Sequence, residues 1–265
     1  LFGRKFRYPI FAGPVGAVAM HYSDAYNDVT YNAELVPGCA EAGIAAFTGD
    51  GMDAQVMQGA TEAIKHCGGF GVPTVKPWNA RMIAEKMKLV KDAGAFAVAM
   101  DVDAAGLPFL KNFEPPAGSK SVAEMKQIIQ DAGLPFIVKG IMSAKGALKA
   151  MEAGASAIVV SNHGGRVLDQ SPATAEVLEE VVAAVGNRMK ILVDGGIRTG
   201  VDVFKALALG ADAVLIARPF VTAVYGGGKE GVKLLVEKLG GELVDTMEMC
   251  GAASLSEITR DMVRR

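Results

Sequence analysis

The sequence predicts an α/β protein of the (β/α)8 TIM-barrel class, with residues 1–265 forming one domain, on three observations. First, a short phrase recurs as Gly94-Ala95-Phe96-Ala97-Val98, Gly154-Ala155-Ser156-Ala157-Ile158 and Gly210-Ala211-Asp212-Ala213-Val214, with a looser copy at Gly43-Ile44-Ala45-Ala46-Phe47. In each copy a glycine closes a helix and alanines lead into a strand. The copies stand about 50–60 residues apart, the length of two βα units of about 30 residues each. Second, the intervals hold four more apolar runs: Pro9-Ile10-Phe11-Ala12, Val72-Pro73-Thr74-Val75, Pro135-Phe136-Ile137-Val138 and Ile191-Leu192-Val193. Third, charged and glycine-rich residues follow these runs while the runs stay apolar. Barrels of this class carry their sites at the C-terminal strand ends.

Taken in order, each strand is short and bounded by turn formers, as expected of strands buried on both faces. Three of the interval strands enter at or near a proline, which the first residue of a strand tolerates. Between them, apolar residues at helical spacing predict helices over 80–93, 122–132, 144–153, 173–185, 201–209 and 233–249. The run Gly226-Gly227-Gly228 lacks the preceding strand of a dinucleotide fingerprint and predicts a flexible turn before the last helix. No long hydrophilic linker divides the chain. An open doubly wound sheet would need edge strands, and eight near-equal units without one favour closure. The chain opens on Leu1 and not on Met, which predicts further residues upstream.

Composition excludes several classes of function. With 51% hydrophobic and 21% charged residues the chain can bury a core, and a net charge of −2 gives no pull toward nucleic acid or an anionic membrane. No apolar run approaches the ~18 residues of a membrane span. The three cysteines, Cys39, Cys67 and Cys250, form no CxxC pair, which suits a reduced, cytoplasmic protein. His21 and His66 have no second ligand at metal-binding spacing, so no metal site is expected and both read as surface or loop residues.

The strand ends carry the chemistry. After Ala157-Ile158-Val159-Val160 comes Ser161-Asn162-His163-Gly164-Gly165-Arg166-Val167-Leu168-Asp169, which sets an imidazole base three residues from a planar anion clamp. Lys139 directly follows Phe136-Ile137-Val138, a costly place for a lysine unless an anion meets it. Asp101-Val102-Asp103 ends the fourth strand, Thr48-Gly49-Asp50-Gly51 the second and Val75-Lys76-Pro77-Trp78 the third. The seventh and eighth ends, Asp194-Gly195-Gly196-Ile197-Arg198-Thr199-Gly200 and Ala217-Arg218-Pro219-Phe220, predict a phosphate cradle of free backbone N–H groups and two arginines.

From Pro135 to Ile258 these motifs, in this order and at these strand ends, resemble the FMN-dependent α-hydroxy-acid oxidases and dehydrogenases, the group of glycolate oxidase, lactate oxidase and flavocytochrome-type lactate dehydrogenase. The resemblance implies oxidation of a small L-2-hydroxy acid, lactate- or glycolate-like, to the 2-oxo acid. It implies that His163 is the base, that Asp103 stabilises its imidazolium and that Arg166 holds the substrate carboxylate. Lys139 would lie near the flavin N1–C2 carbonyl edge, where a positive charge favours the anionic reduced flavin. Ser161, Asp194, Gly195, Gly196, Arg198, Ala217 and Arg218 would contact the FMN. A homo-oligomer, by family a tetramer, is also implied.

The chain departs from the family on the substrate side. The glutamine and tyrosine usual in strand three are missing, and a gap-free comparison places Pro73 and Val75 there. A second substrate arginine after strand four is absent, with Leu110 and Lys111 nearby, and that loop is short. The N-terminal segment with a substrate-contacting tyrosine is not in this chain. Two other readings therefore stand beside the first: an FMN barrel of the type 2 isopentenyl diphosphate isomerase kind, and a non-catalytic flavin-binding subunit. The electron acceptor, whether oxygen, a quinone or a protein, is left open by the sequence.

Overall fold

The computed structural model describes residues 1–107, 110 and 117–264. Eight parallel strands form one sheet: β1 (Ile10–Ala12), β2 (Phe47–Thr48), β3 (Val72–Val75), β4 (Val98–Asp101), β5 (Phe136–Ile141), β6 (Ala157–Val160), β7 (Lys190–Val193) and β8 (Ala213–Ile216). Their order is β1-β8-β7-β6-β5-β4-β3-β2. A parallel bridge between Ala12 and Ala46 joins the two ends, and the Ala12 N–H donates to the Ala45 carbonyl at 3.2 Å. The sheet is a closed (β/α)8 barrel, as the repeat predicts.

Helices fill the connections: α1 (Val18–His21), α2 (Asp28–Glu41), α3 (Ala54–His66), α4 (Ala80–Asp92), α5 (Val122–Ala132), α6 (Ala144–Glu152), α7 (Thr174–Val185), α8 (Gly200–Ala208) and α9 (Arg218–Cys250). The sequence pattern does not single out α2, because Pro37 and Gly38 lie inside it and both disfavour a helix interior. Tertiary packing overrides that preference. A Cβ on Gly38 would stand 2.9 Å from the Val232 side chain, so the glycine lets α2 approach α9 closely. The triple glycine marks a kink within α9, which begins fifteen residues before the predicted start at 233. Gly228 sits at φ +53°, and Glu34 accepts the N–H of Lys229 at 2.7 Å where the helix resumes.

Alternation along the strands sorts their residues into two faces. Phe11, Phe47, Ala99, Ile137, Val159, Leu192 and Leu215 fill the barrel interior. Ile10, Val75, Met100, Val138, Ile158 and Val214 face the helix ring. The end of the barrel where strands begin is stoppered by rings: Phe6 packs against Phe11 at 4.9 Å between centroids, against Phe70 at 5.6 Å and against Phe96 at 5.9 Å. Charged side chains collect at the opposite mouth.

Candidate active site

Following the inward-facing positions past the apolar layer reaches a ladder of alternating charge. Asp101 and Lys139 are register partners on β4 and β5, and Lys139 Nζ lies 3.2 Å from Asp101 Oδ1. On one flank Lys76 Nζ is 3.9 Å from Asp101 Oδ2; on the other, Lys139 is 3.6 Å from Asp194 Oδ2. Lys139 also donates to Ser161 Oγ at 3.1 Å. Burial works against the Lys139 charge, but Asp101, then Asp194 and Asp103, outweigh it and hold the ammonium well above the ordinary lysine range. Burial likewise opposes ionisation of Asp101, yet Lys139, Lys76 and His163 bring its carboxyl below the usual value. For Asp194 burial prevails over Lys139 and the carboxyl is pushed up.

His163 follows in a 3-10 turn, His163–Gly165, after β6. Its backbone is left-handed at φ +55°, a costly conformation for a residue with a Cβ, and its N–H donates to Ser161 Oγ at 3.1 Å. The imidazole Nδ1 stands 3.2 Å from Asp103 Oδ1. Because a carboxylate accepts there, Nδ1 carries the hydrogen, and Nε2 is left as the proton acceptor. Asp103 rides on a 3-10 turn, Val102–Gly106, directly after β4. Gly140, at φ +103°, makes room for it: a Cβ there would fall 2.5 Å from Asp103 Cγ. Gly140→Ala should therefore displace Asp103 and cost ~1–3 kcal/mol of stability from strain and overpacking, read from a urea melt, with a larger loss in any reaction that uses His163.

Arg166 is exposed and has no carboxylate partner among the described residues. Its charge, with that of Lys76, reaches His21 on α1: partial burial first, then Arg166, lower the His21 pKa. His21 ends the short helix that follows β1, on the side of the barrel where the strands end. At the β7 end, Gly195 and Gly196 have φ of +92° and +83°, and a Cβ on Gly196 would meet nothing within 4 Å. The Thr174 hydroxyl donates to the Asp194 carbonyl at 2.6 Å and fixes the start of this loop. Arg198 is exposed, its N–H donating to Asp202 at 3.0 Å. Ala217 follows β8 and caps the start of α9, and the Arg218 guanidinium reaches over Gly164, 3.5 Å from where a Cβ would stand. The structure thus gathers all the sequence-predicted site residues around one mouth.

One expectation is corrected. Val75 faces the helix ring and Pro73 precedes it by two, so neither reaches the mouth; the inward places on β3 belong to Thr74 and Lys76. The positions that the gap-free comparison gives to the family's glutamine and tyrosine therefore point away from the mouth, because side chains alternate between the two faces of a strand. Leu110 is fully buried, and Lys111 lies outside the described residues.

Sequence reading also missed the cluster beneath Lys76. The side chain of Asp50 is fully buried, and its Oδ1 pairs with Lys86 Nζ at 2.6 Å and accepts the Gly51 N–H at 2.8 Å. Its Oδ2 accepts from Trp78 Nε1 at 2.6 Å and from the Lys76 N–H at 3.0 Å. The available signal was Lys86 itself, set in the apolar stripe Ile83, Met87 and Val90 of α4.

The mouth fits a flavin mononucleotide. The hydroxyl of Thr74 and the Oδ1 of Asp194 are buried there without a hydrogen-bond partner among the described residues, an expensive state unless a polar ligand completes it. The open Gly195-Gly196 turn, Arg218 and the start of α9 offer amide and guanidinium donors to a phosphate.

A closed parallel barrel with such donors, a carboxylate-paired histidine and a buried lysine at its C-terminal mouth defines a flavin-dependent oxidoreductase barrel. The sequence profile of the FMN-dependent dehydrogenases matches residues 109–265, and the chain belongs to that family. It is 41% identical over 218 residues to a peroxisomal (S)-2-hydroxyacid oxidase of Arabidopsis thaliana, an alignment covering 68% of this chain and 59% of that protein. With an L-lactate oxidase of Lactobacillus jensenii it shares 43% identity over 148 residues, covering 56% of this chain and 36% of the relative. The chain thus spans less than two thirds of the length of either relative. A crystal structure of mandelate oxidase superposes on 98% of this chain and 80% of its own, with a TM-score of 0.82 and 28% identity.

Proposed function

We propose that this barrel oxidises a small L-2-hydroxy acid, lactate- or glycolate-like, to the 2-oxo acid, with FMN bound at the mouth. The observation that carries this reading is the 3.2 Å pairing of His163 with Asp103, with His163 three residues before Arg166, a guanidinium that has no carboxylate partner among the described residues. Bound FMN supplies the two-electron acceptor. His163 Nε2 takes a proton from the substrate, and Asp103 stabilises the imidazolium that results. Arg166 holds the substrate carboxylate in two parallel hydrogen bonds and orients the reacting carbon. Lys139 and Ser161 serve the flavin ring side, while Asp194, Gly195, Gly196, Arg198, Ala217 and Arg218 serve the ribityl and phosphate.

The isomerase reading asks for a further cation cluster to hold a diphosphate, and the mouth instead alternates lysine with aspartate. A purely binding role leaves the His163–Asp103 pairing without a use. The unpaired thiols of Cys39, Cys67 and Cys250 support a reducing compartment such as the cytoplasm. The tetramer implied by the resemblance is read directly by light scattering.

The test is a comparison of a 2-hydroxy acid with its methyl ester. The wild type should reduce its flavin much faster with the free acid, and Arg166→Met should raise the KM for the acid at least tenfold while leaving the ester nearly unaffected, as expected for loss of a charge-assisted hydrogen bond worth ~1.5–3 kcal/mol. Equal rates with acid and ester in the wild type would overturn the assignment of Arg166.

A further inference from the structure

Lys139 is 3% exposed and sits between two carboxylates, Asp101 at 3.2 Å and Asp194 at 3.6 Å. Asp101 is in turn shared with Lys76 at 3.9 Å, and it is 5% exposed. A buried cation so flanked presents little net field to a ligand at the mouth, because opposite charges a few ångströms apart largely cancel beyond their own separation. The family resemblance asks of Lys139 a free positive charge against the flavin. This chain gives it a register-paired counterion on the neighbouring strand.

We propose that Asp101 is a positioning and charge-compensating residue that lowers the reduction potential of the bound FMN by neutralising Lys139, and that Lys76 moderates this by drawing on the same carboxylate. The proposal rests on the reading that FMN lies at this mouth with Lys139 beside it. Its physical basis is that a positive charge near the flavin stabilises the anionic reduced form more than the neutral oxidised form. Whatever weakens that charge weakens the reduced state. Asp101 acts through Lys139, so its effect belongs to the potential and not to substrate binding. The two lysines flank one carboxylate, so removing Lys76 and removing Asp101 should move the potential in opposite directions. General damage to the fold would not produce that sign reversal.

The experiment is a spectroelectrochemical titration of the FMN-loaded protein, with oxidised and reduced FMN affinities measured alongside. Asp101→Asn keeps the side-chain shape and leaves Lys139 held by Asp194 and Ser161. It should bind reduced FMN about tenfold more tightly relative to oxidised FMN, a rise of about 30 mV for a two-electron couple. Lys76→Met should shift the same ratio the other way. Should Asp101→Asn not fold, Lys76→Met decides alone: a lowered potential supports the proposal, and an unchanged or raised one overturns it. A potential unmoved or lowered in a folded, FMN-binding Asp101→Asn also overturns it while leaving the proposed function standing. Failure of the wild type to bind FMN overturns both.

Discussion

Alanine in place of His163 slows flavin reduction by a 2-hydroxy acid about 10²–10⁴-fold, the usual contribution of a positioned general base, while FMN affinity stays close to that of the wild type. The separation follows from the geometry. The imidazole is committed to Asp103 through Nδ1 at 3.2 Å, and its side chain bonds to none of the residues assigned to the phosphate loop. Its backbone N–H holds Ser161 in a way that alanine preserves. Stopped-flow reduction under anaerobic conditions measures the first quantity, and fluorescence quenching of FMN the second. A variant that reduces its flavin at the wild-type rate would remove His163 from the chemistry.

Asp50→Ala should destabilise the protein by ~3–5 kcal/mol, the cost of breaking a buried ion pair by removing one partner. The carboxylate accepts from Lys86, Trp78, Gly51 and the Lys76 backbone, so its loss strands an ammonium, an indole N–H and two amides away from water. These partners tie the ends of β2 and β3 to α4 and fix the strand end from which Lys76 extends. A double replacement, Asp50→Leu with Lys86→Met, should recover much of the loss, because no unpaired charge then remains. Urea unfolding reads both variants. A single variant within about 0.5 kcal/mol of the wild type would mean that water reaches Lys86 and that the cluster is not a sealed anchor.

The barrel was legible because its signal is periodic and local. A glycine followed by alternating alanine marks every second unit, and the intervening strands are plain apolar runs. β2 is the weakest case: only Phe47–Thr48 pair as strand, and the closure beside it depends on Ala46, a residue with no preference of its own. The helix α2 stayed hidden behind Pro37, which only its packing against α9 makes tolerable. Within the site, His163, Arg166 and Lys139 could be read because the first two follow β6 within a few residues and the third directly follows the apolar run Phe136-Ile137-Val138 of β5. The partnership of Lys76 with Asp101 could not. It depends on which residues of β3 face inward, and a two-residue period gives opposite answers for neighbours such as Val75 and Lys76. Asp50 and Lys86 meet across 36 positions, so their contact is a property of the assembled barrel.

The most direct test of the whole account is an anaerobic titration of the FMN-loaded protein with glycolate, L-lactate and mandelate in turn, following the visible flavin band. The account predicts a flavin spectrum on loading and its bleaching by at least one of these acids, with reoxidation by air then separating an oxidase from a dehydrogenase. A yellow protein that no 2-hydroxy acid bleaches would contradict the proposed substrate class, and a protein that takes up no FMN would contradict the assignment of the mouth itself.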